Sequence, residues 1–137
     1  MTKYKIVIVE NDEDEQFFMK EGFTTAGLFE ILAQLRNGDE LFEWLEANKT
    51  QLPEVILSDL NMPGKNGYDI IVGVKENPAY RHIPVIITST SSAKIMMDKC
   101  LALGAADYLV KPDTFIAYVP FVENLYRQIE QKQLVKA

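Results

Sequence analysis

The chain has 137 residues, 47% of them hydrophobic and 25% charged, with a formal net charge of −6. That size and balance suit one globular domain with its own core and exclude a disordered chain. The acidic surplus argues against a non-specific nucleic-acid surface, which needs a basic face to displace counterions, and no apolar run approaches the ~20 residues that would span a bilayer.

The opening stretch MTKYKIVIVE lacks the long apolar segment and small-residue cleavage site of a signal peptide. Cys100 is alone, so no disulfide framework exists and a reduced, cytoplasmic setting is expected. Its neighbours Met96, Met97, Leu101 and Leu103 mark it as a packing residue.

In chain order, Lys5–Val9 reads as a first strand, followed by the acid-rich run Glu10-Asn11-Asp12-Glu13-Asp14-Glu15. Asp12 to Glu15 are expected to cap and charge the first helix, where negative groups suit the N-terminal dipole. A second strand follows at Glu30–Leu35, then a helix from Asp39 with Leu41, Phe42 and Leu45 in one stripe and Glu40, Glu43 and Glu46 outside it. Val55–Ser58 is a third strand, and Ile70, Ile71 and Val74 stripe a third helix from Gly67. Val85–Thr88 is a fourth strand. The next helix carries Ile95, Met96, Cys100 and Leu103 and stops at Gly104. Asp107–Val110 is the fifth strand, and Phe121, Val122, Leu125, Tyr126 and Ile129 mark the last helix. Pro120 either opens that helix in its first turn or kinks one that begins near Thr114.

Ile6–Val9, Val55–Leu57 and Val85–Ile87 are continuously apolar, as expected of strands covered on both faces of a parallel sheet. Strand alternating with helix five times implies an α/β domain with right-handed crossovers. No linker or second domain is expected in residues 1–137.

Ligands of open α/β sheets sit beyond the carboxyl ends of the strands. The first strand ends in Glu10-Asn11, the third in Asp59, the fourth in Ser89-Thr90 and the fifth in Lys111-Pro112, whereas the second ends in a turn, Arg36-Asn37-Gly38-Asp39. Parallel strands bring those ends to one edge. Carboxylates with a divalent cation, a lysine and a hydroxyl form a set suited to phosphoryl transfer, in which a carboxylate can itself be the nucleophile. Each residue also has a plain structural role. Asp59 could form a turn, Lys111 could be a solvated loop residue, and one hydroxyl of Thr88-Ser89-Thr90-Ser91-Ser92 is expected to cap the following helix. The agreement of four strand ends favours the site.

VILSDLNMPGKNGYD resembles the phosphoacceptor loop of response-regulator receiver domains, and IPVIITSTS with GAADYLVKP resembles the fourth and fifth strands of that family. The spacing from Asp59 to Ser89 and on to Lys111 agrees, and the resemblance covers residues 4–131. It implies a five-stranded, doubly wound (βα)5 flavodoxin-like receiver fold with strand order 2-1-3-4-5. It makes Asp59 the acceptor of a phosphoryl group from a phosphohistidine on a sensor histidine kinase or phosphotransfer protein. Mg²⁺ would be held by Glu10, Asn11, Asp59 and the backbone carbonyl of Asn61, and Lys111 would pair with Asp59 and then with the phosphoryl oxygens. The resemblance also implies a cis Lys111–Pro112 bond. It makes Ser89 and Tyr108 the switch pair, Tyr108 otherwise being a packed strand aromatic with a wet hydroxyl. The fourth helix, fifth strand and fifth helix form the expected partner face, including parts of residues 93–103 and 115–127, with Lys94, Met97 and Lys99 as candidate exposed contacts. No direct nucleic-acid or membrane contact is implied, nor an output domain or an enzyme in the ordinary sense. The chain would only assist its own phosphorylation and dephosphorylation.

One position departs from the family pattern, which places two acids at the first strand end where this chain has Glu10 and Asn11. Asn offers a carbonyl oxygen without charge, so weaker metal binding is expected, unless Asp12 reaches in. A working phosphoacceptor and a receiver-like interaction module with weak or lost phosphorylation therefore both remain. A haloacid-dehalogenase-type phosphatase fits less well, because it wants an acid two residues after the nucleophile and position 61 is Asn. His82, in the loop before the fourth strand, is read as solvated.

Overall fold

The computed structural model describes residues 3–135. Five parallel strands form one sheet in the order β2-β1-β3-β4-β5. They are β1 Tyr4–Val9, β2 Phe29–Leu35, β3 Val55–Asp59, β4 Val85–Ser89 and β5 Asp107–Val110. The helices are α1 Glu13–Ala26, α2 Gly38–Ala47, α3 Gly67–Glu76, α4 Lys94–Leu103 and α5 Tyr118–Lys132. This is the doubly wound order implied above, with helices on both faces. β3 and β4 each run one residue further than expected, because Asp59 and Ser89 still pair, with Thr88 and Val110 respectively.

Period-two alternation divides the core into two layers. Val7, Val9, Ile56, Val85 and Ile87 pack with Leu41, Leu45, Ile70, Val74 and Cys100 on the α2, α3 and α4 side. Ile6, Ile8, Val55, Leu57 and Ile86 pack with Met19, Phe23, Phe121, Val122, Leu125 and Ile129 on the α1 and α5 side. The sheet interior is apolar on both faces, which is why the strand runs are unbroken. Full burial of each such side chain is worth about 2 kcal/mol.

Three local details differ from or resolve the expectations. Ile95 is 80% exposed, so it lies outside the buried stripe of α4, where Cys100 is the fully buried residue. No hydroxyl caps α4: its N-cap is Ala93, and the serines bond instead within the preceding loop, Ser89 Oγ accepting from Ser91 N–H at 3.2 Å and Ser91 Oγ from Ala93 N–H at 3.1 Å. Pro120 is the third residue of α5, after a 3₁₀ turn at Phe115–Ala117, so it sits where a helix needs no N–H donor.

Candidate functional site

The strand ladders continue past the last apolar residues. Glu10 N–H donates to the Leu35 carbonyl at 2.8 Å, Leu60 N–H to Thr88 at 3.0 Å and Lys111 N–H to Ser89 at 2.8 Å. Glu10, Asp59 and Lys111 thereby extend the series Ile6–Ile8, Val55–Leu57 and Leu109 that faces α1 and α5. Ser89 and Tyr108 belong to the opposite series, with Ile87, facing α3 and α4.

The loop after Asp59 must fold back sharply for that aspartate to face open space. Gly67 N–H donates to the Leu60 carbonyl at 2.9 Å, and a Cβ at Gly67 would lie 2.8 Å from Leu60 Cα and 2.9 Å from the Asp59 carbonyl oxygen. Only glycine permits that approach. Gly64 takes φ +73°, which completes the turn.

At the edge, one cleft of about 270 Å³ is lined by Glu10, Asn11, Asp12, Glu15, Asp59, Asn61, Thr90 and Lys111. Lys111 Nζ lies 2.8 Å from Glu10 Oε1, 2.6 Å from Glu15 Oε2 and 3.2 Å from Asp59 Oδ1. Three ammonium hydrogens thus face three carboxylates, all largely out of solvent, which makes their electrostatics strong. Burial pushes Asp59 up from its ordinary carboxylate value, against the attraction of Lys111. Burial and a hydrogen bond to Glu15 push Glu10 up to about 8, while Lys111 pulls it the other way. Burial would raise Glu15 too, but the hydrogen bonds from Glu10 and Lys111 outweigh it and hold Glu15 below the usual range. Burial opposes the charge on Lys111, yet the pairs with Glu10, Glu15 and Asp59 hold its ammonium far above the ordinary lysine value. Of the two glutamates, Glu10 is the one pushed towards its protonated form and Glu15 the one held towards its ionised form.

Of the expected site residues, Glu10, Asn11, Asp59, Asn61 and Lys111 share this cleft. Ser89 does not line it. Its hydroxyl is buried and engaged by Ser91, and it makes no hydrogen bond to Asp59 or Lys111, while Thr90 borders the cleft in its place. Tyr108 is 5% exposed and its hydroxyl donates to the Ser91 carbonyl at 2.8 Å, so the ring is buried and its hydroxyl is bonded rather than wet. Asp12 caps α1, its carboxylate accepting from Glu15 N–H at 2.9 Å. No peptide bond among the described residues is cis, so Lys111–Pro112 is trans, contrary to the expectation carried by the resemblance. Lys94 and Lys99 are exposed, with Lys94 paired to Asp98 and Lys99 Nζ 4.2 Å from the Tyr68 ring centre. Met97 is half-buried against the core instead.

Glu15 was missed by reasoning from strand ends because it enters from a helix. The available signal was the alternation that points Lys111 at α1. Among the described residues no three or more His, Cys, Asp or Glu side chains are arranged to hold a metal ion by themselves; the three acids converge on Lys111 Nζ. The donor chemistry still fits a hard divalent cation. Carboxylates, an Asn side-chain oxygen and a backbone carbonyl are its preferred ligands, usually completed by water.

A family model described as "Response regulator receiver domain" matches residues 6–118. Chemotaxis protein CheY1 of Helicobacter pylori is 29% identical over 110 residues, 80% of this chain and 86% of that protein. Two-component response regulator ARR5 of Arabidopsis thaliana is 43% identical over 58 residues, 42% of this chain, and the matched stretch spans only 32% of that curated relative's length. In structure, the phosphorylated cyanobacterial phytochrome response regulator RcpA superposes with a TM-score of 0.84 at 23% identity, covering 99% of this chain and 100% of RcpA, a likeness of fold. No helix among the described residues is long and apolar enough to cross a membrane. The family match, the strand order and the Asp–Lys cleft at the strand ends agree: the chain belongs to the response-regulator receiver domains of two-component signalling.

Proposed function

We propose that this chain is a phosphoacceptor of a phosphorelay, taking a phosphoryl group onto Asp59 from a phosphohistidine of a sensor kinase or phosphotransfer protein. One observation carries the reading: Asp59, largely buried yet open to a cleft, lies 3.2 Å from Lys111 at the sheet edge. An Asp59 carboxylate oxygen bonds to phosphorus as the nitrogen–phosphorus bond breaks, and the electron pair of that bond returns to the donor imidazole. Lys111 keeps Asp59 ionised by charge, then neutralises the new phosphoryl oxygens. Glu10, Asn11, Asp59 and the Asn61 carbonyl are the residues that would hold Mg²⁺. When bound, a divalent cation screens the repulsion between carboxylate and phosphoryl group.

For the response, Ser89 would leave its bond with Ser91 N–H and turn towards the phosphoryl oxygens, and Tyr108, tied to the Ser91 carbonyl, would follow the same loop. α4, β5 and α5 would meet the downstream protein, and the exposed Ile95, Leu101 and Val110 support that choice of face. The relay would work in the cytoplasm, without direct contact to nucleic acid or membrane.

The test is incubation with phosphoramidate and Mg²⁺ followed by intact-mass measurement. Wild type gains one phosphoryl group and Asp59→Asn gains none. The exposed, uncharged Asn11 at the expected metal ligand favours a second reading, an interaction module that has lost phosphorylation. Absence of any adduct on wild type would select it.

A further inference from the structure

Asn11 leaves the first strand end one carboxylate short, yet three carboxylates surround Lys111 in the cleft. The third is Glu15, and its position is not an accident of a charged helix start. Asp12 caps α1 and accepts from Glu15 N–H, so Glu15 stands where a capping-box acid would reach back to the N-cap N–H. It does not reach back. Asp12 N–H donates to Glu10 Oε2 at 3.1 Å, and the Glu15 carboxylate swings into the cleft, 2.6 Å from Lys111 Nζ.

A second group holds it there. Tyr118, the first residue of α5, is 2% exposed, and its hydroxyl lies near enough to Glu15 to help hold that carboxyl down. Burial, ahead of the Glu15 charge, pushes that phenol well above its ordinary value. α5 comes this close to α1 because Gly22 has no side chain: a Cβ there would lie 2.7 Å from Tyr118 Cβ. Glu15 is therefore held by the Lys111 ammonium in the cleft, with the Tyr118 phenol beside it.

The charge count then changes. With all three ionised, as carboxylates around a bound cation are, Glu10, Glu15 and Asp59 against Lys111 leave two formal negative charges, the complement of a divalent cation. Without Glu15 one remains, and the filled site would carry an excess positive charge. Resting on the phosphoacceptor reading above, we propose that Glu15, positioned by Tyr118, supplies the carboxylate charge that Asn11 lacks and so makes divalent-cation binding in this chain depend on the α1–α5 contact. It is a positioning and charge-balancing residue that acts through Lys111 and Glu10 from outside the ligand shell.

Mg²⁺ affinity measured by calorimetry on the full chain tests this, with thermal melts as a control for folding. Glu15→Gln weakens Mg²⁺ binding about tenfold or more, the usual cost of removing an outer-shell partner. Asn11→Asp in the Glu15→Gln background restores most of the loss, because it returns the charge at the strand end, and a merely structural defect would not be repaired that way. Tyr118→Phe weakens binding by a smaller factor, and the effect vanishes when Glu15 is already Gln. Unchanged affinity in Glu15→Gln, or a loss that Asn11→Asp does not rescue, overturns the proposal while wild type still binds Mg²⁺ and takes phosphate. If wild type does neither, the phosphoacceptor reading falls and this inference with it.

Discussion

Two helix starts in this molecule carry nearly the same pattern and use it differently. α3 begins with Asn66 as N-cap and Asp69 three residues on; Asn66 accepts from Asp69 N–H at 3.2 Å and Asp69 accepts from Asn66 N–H at 3.0 Å, a closed capping box. α1 begins with Asp12 and has Glu15 at the same offset, but only half of the box forms. What separates them is a tertiary neighbour. Lys111, buried and in need of anions, faces the start of α1, whereas Asp69 stays with its own helix. An ion pair in a shielded cleft outcompetes a helix-terminal hydrogen bond worth about 1 kcal/mol. The same local grammar builds a cap in one place and part of a site in the other.

Removing the neighbour breaks the comparison most severely. Lys111→Met leaves three acids facing one another without their cation, and urea unfolding at pH 8 should show a loss of about 3 kcal/mol. In that variant Glu15 loses its ion-pair partner in the cleft. An unchanged stability would mean that the cluster carries little net charge in the folded chain.

Cap removal gives a middling effect that differs between the two helices. Asn66→Ala should cost about 1 kcal/mol and leave Mg²⁺ binding alone, because α3's box is self-contained. Asp12→Ala should cost a similar amount and also weaken Mg²⁺ binding, since Glu15 loses the bond that sets its backbone. Equal effects of the two variants on Mg²⁺ would erase the distinction.

Much of the fold was legible in the residues. Val7, Ile56 and Ile86 lie in unbroken apolar runs because both faces of their sheet are covered, and Asp12 behaves as the cap its residue type suggests. Glu10, Asp59 and Lys111 were readable from strand ends, since parallel strands deliver those ends to one edge. Ile95 was misplaced because a stripe read over one short helix does not say which face meets the sheet. Ser89 was read into the cleft by position, but period-two alternation turns it to the other face and leaves Thr90 at the rim. Glu15 was hidden because an acid three residues after an Asp cap is indistinguishable, in sequence, from a capping box.

The smallest expected effect is in pH dependence. Glu10, pushed up to about 8 by burial and by Glu15, holds a proton in the folded chain that the unfolded chain releases near an ordinary carboxylate value. The stability this contributes is fully present below that ordinary value, declines as pH rises, and is lost above about 8. Metal-free protein should therefore melt a few degrees lower at pH 8.5 than at pH 5.5, and Glu10→Gln should flatten the slope. A wild-type melting temperature that rises over this range contradicts the assignment of the proton to Glu10.

Of the three carboxylates around Lys111, Asp59 is the one proposed to take the phosphoryl group. Borohydride reduction of the phosphoramidate-treated chain converts an acyl phosphate to an alcohol, and peptide mass mapping locates it. Homoserine is expected at position 59 and nowhere else. A reduced glutamate at position 10 or 15, with position 59 unchanged, would contradict it.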